Sequence, residues 1–123
     1  MDSSGTSLVV KVTCGTEALE RLNQGFTVAA TALAAGVDVS LWLTGDATWL
    51  MVPGRAEEVD LPYAAPLAEL RDAIVEGARV TVCGQCASRR GLTADDLVPG
   101  VVVRGAAAFV EEVMAPATRA LVY

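Results

Sequence analysis

The chain has 123 residues, enough to enclose one continuous apolar core and too few for a second domain. Nine basic residues against 15 acidic ones leave a net charge of −6, which repels phosphate backbones and anionic lipid, so neither direct nucleic-acid binding nor membrane binding is expected. Apolar residues make up 53% of the chain, more than so small a body can hide, and part of that surface is expected to face a second subunit.

The opening Met1-Asp2-Ser3-Ser4-Gly5-Thr6 is polar and has neither the basic nor the apolar region of a signal peptide. The expectation is a disordered tail over 1–6, a domain over 7–123 and a cytoplasmic location. An odd count of three cysteines without an export signal favours reduced thiols over a disulfide framework.

Leu8 to Thr13 is a β-branched run suited to a buried strand, with Cys14 at its carboxyl end. From Thr16 the apolar spacing lengthens to three and four through Leu19, Leu22, Phe26, Ala29 or Ala30, and Leu33, which predicts a helix stopped by Gly36. Val37, Val39, Leu41 and Leu43 then alternate with Asp38, Ser40 and Trp42 as a second strand. Because Gly36, Asp38 and Ser40 interrupt it, the apolar stretch from Phe26 to Leu43 is a helix, turn and strand and not a membrane span.

Asp46 is expected to cap a short helix through Trp49, Leu50 and Met51, and Pro53-Gly54 and Pro62 mark a long loop. Pro66 at the first helical position opens another helix with Leu67, Leu70 and Ile74 on one face and Gly77 at its end. Arg79 to Val82 is a strand ending on Cys83, and Gly84 to Arg90 is long enough for about two helical turns closed by Gly91. Thr93 with Asp96 resembles a capping box, and Val101 to Val103 is a strand. The helix from Gly105 to Ala115 carries Phe109, Val110, Val113 and Met114 on one face, and Leu121 to Tyr123 forms a last strand. Alternating strands and helices predict a single α/β domain: a mostly parallel five-stranded sheet with helices on both faces, in three layers.

In such sheets ligands gather beyond the carboxyl ends of the strands, where Cys14 and Cys83 both fall. Cys86 follows Cys83 by about one helical turn, so both sulfurs can occupy the first turn after the strand. Unpaired amides at a helix start stabilise a thiolate, the nucleophilic form. No histidine exists in the chain, which excludes a Cys-His dyad, so activation must come from the helix end or a cation. Arg89 and Arg90 are placed to serve Cys86 or an incoming anion, or simply to complement the helix macrodipole.

Cys-x-x-Cys permits a redox disulfide, a metal site or two small buried hydrophobes. Zinc wants four ligands, and three cysteines with a borrowed carboxylate such as Asp46 make an unusual set, so no metal or other cofactor is expected. Glu57-Glu58, Asp95-Asp96 and Glu111-Glu112 are adjacent pairs expected to be solvated. Trp42, Trp49 and Tyr63 suit packing or subunit contact.

The segment Val80-Thr81-Val82-Cys83-Gly84-Gln85-Cys86-Ala87-Ser88-Arg89-Arg90-Gly91-Leu92 resembles the cysteine segment of the DsrE/DsrF-like family. Pro99-Gly100, the run from Gly105 to Tyr123, Glu20-Arg21, and the stretch from Gly36 to Asp46 extend the resemblance over nearly the full length. It implies a sulfur carrier or sulfurtransferase-like subunit with a persulfide on Cys83, a homo-oligomer (trimer or hexamer), and a sulfur donor or acceptor protein as partner. Cys86, the extra cysteine, keeps a thiol-disulfide redox protein open as an alternative, and buried cysteines would leave a non-catalytic oligomeric binding module.

Overall fold

The β-branched run at the start of the chain forms β1 (Ser7–Val12), and the helical spacing after it forms α1 (Leu19–Ala34), entered through a 3₁₀ turn at Thr16–Ala18. The computed structural model describes residues 5–123, so the tail expected over 1–6 falls mostly outside the described residues. Helix α1 buries Leu22, Phe26 and Ala29 against the sheet, where a fully buried side chain of this size contributes about 1.5–3 kcal/mol. Its end is a Schellman motif: Val37 N–H donates to Ala32 O and Gly36 N–H to Leu33 O, both at 3.0 Å, while Gly36 takes φ +87°.

Strand β2 (Asp38–Leu43) turns Val39, Leu41 and Leu43 toward α1 and buries Ser40 and Trp42 on its other face. The long loop after it is built from 3₁₀ turns at Gly45–Met51 and Ala56–Glu58, with Leu50, Met51 and Ala56 buried. Asp46 does not cap the first of these as expected, because its carboxylate pairs with Arg90 instead. Helix α2 (Leu67–Gly77) begins one residue after Pro66, not on it: Pro66 stands outside as the cap, its carbonyl accepting from Glu69 and Leu70 N–H. Arg71 of α2 is buried, and Glu57, exposed as expected, grips its guanidinium with two oxygens at 2.7 and 3.1 Å.

Strand β3 (Arg79–Cys83), α3 (Gly84–Arg89), β4 (Val101–Arg104), α4 (Ala106–Val113) and β5 (Thr118–Val122) complete the chain. Between α3 and β4 a 3₁₀ turn at Ala94–Asp96 carries the expected capping box, with Thr93 N–H donating to Asp96 Oδ2 at 2.8 Å. Five parallel strands run in the order β4-β3-β2-β1-β5.

This order explains the layers. Parallel crossovers are right-handed, so the steps from β1 through β4 in one direction put α1 and α2 on one face. The return from β4 across the sheet to β5 reverses direction and puts α4 on the other. The first face holds the main apolar core, whereas among the described residues α4 is the helix that covers the second. Phe109 of α4 meets Trp42 edge-on, ring centres 5.3 Å apart. Val110 and Met114, expected on the same apolar face as Phe109, point outward and are exposed, as are Val102 and Val122 on the flanking strands. Among the described residues no helix is long and apolar enough to cross a membrane.

Candidate functional site at the carboxyl end of the sheet

Cys83 closes β3 and at the same time takes the N-cap position of α3, with extended backbone angles (φ −63°, ψ 126°). Period-two alternation along β3 puts the Cys83 side chain on the face of Thr81, the face covered by α4. Its neighbour across β4 is Arg104.

Cys86 is the third residue of α3 and 8% exposed; Gly45 N–H donates to its sulfur at 3.2 Å. Gly45 is itself confined: φ is +54°, and a Cβ there would come within 2.7 Å of the Thr13 carbonyl oxygen. The turn after β2 thus locks against both the end of β1 and α3. Cys14 lies two residues beyond β1, buried, its thiol directed at Ala18 O at 3.9 Å.

Cys83 and Cys14 are electrostatically unequal, and none of the three cysteines is in a disulfide. Burial pushes the Cys83 thiol up, but the amide and side chain of Cys86, the Gln85 amide and the Lys11 charge outweigh it, leaving Cys83 below the usual thiol value. Burial pushes the Cys14 thiol up; Glu17 adds to this, and Arg21 and a backbone hydrogen bond offset it only in part.

Arg89 donates to Gln85 Oε1 at 3.3 Å. Arg90 donates to Asp46 Oδ1 at 2.7 Å and to the Cys86 carbonyl at 3.0 Å, completing the carbonyl end of α3 and tying it to the β2 turn. Gly91 closes α3 by the same motif as α1, with Leu92 N–H on Ala87 O at 2.9 Å. The geometry of both arginines therefore fits the macrodipole and anchoring role, and Arg90 holds the helix that carries Cys86.

Two features escape a sequence reading. Lys11 of β1 shares the face of Cys83, standing in register with Trp42, which is in register with Thr81. Glu112 of α4, expected to be solvated, is a half-buried hub: its carboxylate accepts from Ser40 Oγ at 2.5 Å, Trp42 Nε1 at 3.1 Å and Arg104 at 2.6 Å. Arg104 also donates to Thr81 Oγ1 at 2.7 Å and lies over the Trp42 ring. Burial raises the Glu112 carboxyl, but Ser40, Trp42 and Arg104 outweigh it and hold it below the usual carboxylate range. The one available signal was the i, i+3 spacing of Phe109 and Glu112, which puts both on the same side of α4.

A cleft of about 500 Å³ opens beside this region, lined in part by Thr16, Asp46, Trp49, Arg55 and Glu58, with Arg55 stacked 4.6 Å from the Trp49 ring centre. Trp49 therefore packs, Trp42 is buried beneath α4, and Tyr63 stands fully exposed. Among the described residues no three cysteine or carboxylate side chains converge as a metal site.

Fold and site together define a parallel α/β domain that presents a strand-end cysteine at the start of a short helix. The chain belongs to the DsrE/DsrF-like family, which it matches over residues 7–121. An uncharacterized protein of Methanopyrus kandleri is 34% identical over 82 residues, 67% of this chain and 65% of that protein. Another from Methanocaldococcus jannaschii is 35% identical over 83 residues, 66% of this chain and 68% of that protein. The chain thus spans about two thirds of the length of these curated relatives. Among solved structures, the ychN protein from E. coli superposes with a TM-score of 0.80 at 16% identity, covering 96% of this chain and 99% of that one. A protein of unknown function from Methanobacterium thermoautotrophicum gives 0.72 at 12% identity, covering 96% and 99%. At these identities the likeness establishes the shared fold.

Proposed function

We propose that this domain is a sulfur carrier or sulfurtransferase-like subunit that holds sulfane sulfur as a persulfide on Cys83. The observation that carries the reading is the contrast among the thiols: Cys83 is half-buried at the strand end and lowered, whereas Cys14 is buried and raised. In the loading step the Cys83 thiolate forms a bond to the donor's sulfane sulfur as that sulfur's bond to its old carrier breaks. The old carrier leaves with the electron pair and takes up a proton. Transfer to an acceptor thiolate is the same displacement run outward, so no external oxidant is needed. Family membership supports this chemistry at the level of the family.

Cys86 has the geometry of a tuning residue: the Gly45 amide holds its sulfur, and it helps to lower the Cys83 thiol. The same proximity favours a second reading, in which the two thiols cycle to a disulfide by exchange with a partner. Arg90 and Arg89 act as supports of α3, and Cys14 as a packed thiol. The subunit works as a homo-oligomer that covers the α4 face, with a donor or acceptor protein approaching the strand ends.

Intact-mass analysis after incubation with a sulfane-sulfur donor, followed by donor removal, tests the proposal. The protein should be heavier by sulfur, the addition should map to Cys83 and survive Cys86→Ser, and Cys14 should stay unmodified. A Cys83–Cys86 disulfide with no added sulfur, even in Cys86→Ser, would transfer the case to redox exchange. A Cys83 that resists alkylation until the protein unfolds would leave only the binding module.

A further inference from the structure

Lys11 is the chain's single lysine. It projects from β1 on the face that α4 covers, its ammonium 4.9 Å from the centre of the Phe109 ring. Among the described residues it makes no ion pair. Each other cation near the strand ends is already engaged: Arg104 by Glu112, Arg90 by Asp46, and Arg89 by the Gln85 amide oxygen. The one carboxylate that α4 turns inward, Glu112, is occupied by Arg104, Ser40 and Trp42. From α3 the facing titratable group is the Cys86 thiol. The uncompensated charge on the face of Cys83 is therefore that of Lys11, seated on an aromatic ring that replaces part of its water shell.

We propose that Lys11 is the positioning cation of the sulfur site: its ammonium favours negative charge on Cys83 and draws in donors whose leaving portion is anionic, of the thiosulfate or thiosulfonate class. The register supplies the geometry. Lys11, Trp42 and Thr81 lie side by side across three strands, and Cys83 stands on the same face two residues beyond Thr81. A lysine stem can reach across the Trp42 row toward the strand ends, and the Lys11 charge acts on Cys83 in the expected direction. The inference rests on Cys83 being the reactive sulfur, but it concerns the thiolate, which can be read whether or not sulfur is carried.

The test follows alkylation of Cys83 against pH by peptide mass, using neutral iodoacetamide and anionic iodoacetate on the full chain. Lys11→Met should raise the midpoint of the Cys83 rate profile and lower the iodoacetate-to-iodoacetamide rate ratio by roughly threefold to tenfold, the effect of a unit charge several ångströms away in a partly solvated site. Lys11→Arg should restore both. Because the lysine is unique, acetylating the folded wild-type protein removes the same charge without relying on a variant's folding, and reductive methylation, which keeps the charge, is its control. An unchanged midpoint and ratio in the Met variant and in the acetylated protein would overturn the proposal, as would a loss that Lys11→Arg fails to restore. If the alkylation shifts appear while no persulfide ever forms, the carrier reading fails and this inference stands.

Discussion

Replacing Glu112 by Leu removes the common acceptor of Ser40, Trp42 and Arg104. Ser40 is 0% exposed and Trp42 2%, so neither donor can turn to water, and each orphaned neutral donor costs about 1–3 kcal/mol. The Arg104 side chain is 37% exposed, so solvent screens the loss of its partner to about 1 kcal/mol. Added apolar packing by Leu offsets about 1 kcal/mol of this. The expected net loss is about 2–6 kcal/mol, read as a shift of the urea midpoint at neutral pH with an unchanged slope. Glu112→Gln keeps an oxygen for Ser40 and Trp42 but turns an amide NH2 toward Arg104, losing both the charge and that acceptor at a partly exposed partner, so it should cost about 1 kcal/mol. The folded-state carboxyl is held low, so the wild-type advantage over Gln is fully present above the unfolded carboxylate value of about 4.3. It should disappear as pH falls through the lower folded value. The exposed neighbour provides the control. If Glu112→Leu is no more destabilising than Glu111→Leu, or if the gap to Gln stays constant into acid, the reasoning from a shared acceptor is wrong.

Gly45→Ala should cost about 1–3 kcal/mol, because it combines a positive φ with a Cβ 2.7 Å from the Thr13 carbonyl oxygen. It should also accelerate alkylation of Cys86, whose sulfur accepts the Gly45 N–H; a stability change below about 0.5 kcal/mol with no change at Cys86 would refute this. The exposed Val102, Val110, Met114 and Val122 predict a homo-oligomer in reducing buffer, visible by light scattering at micromolar protein and reduced to monomer by Val110→Glu with Met114→Glu. A monomeric wild-type protein would remove that claim.

Much of this molecule is written in local pattern. The β-branched runs become β1 and β3, the three-and-four spacing through Leu22 and Phe26 becomes α1, and Gly36 and Gly91 end their helices where left-handed backbone is required. Each depends on residues within a turn or two, so the sequence by itself determines them, as it determines that Cys83 ends a strand and starts a helix. Which side chains meet across the sheet is a different matter. Lys11 shares a face with Cys83 only because β1 lies beside β2 and β2 beside β3 in one particular register, and no spacing along the chain encodes that. Helix α4 shows the same limit. Its apolar residues wrap around most of its surface, so periodicity alone puts Val110 and Met114 on one face with Phe109. The tertiary structure instead seats Phe109 on Trp42 and sinks Glu112 beside it, because Ser40, the Trp42 indole and Arg104 offer donors that only a carboxylate can satisfy. Burial of those polar groups, decided by the single crossover on that face, is what turned an apparently solvated glutamate into the centre of the second layer.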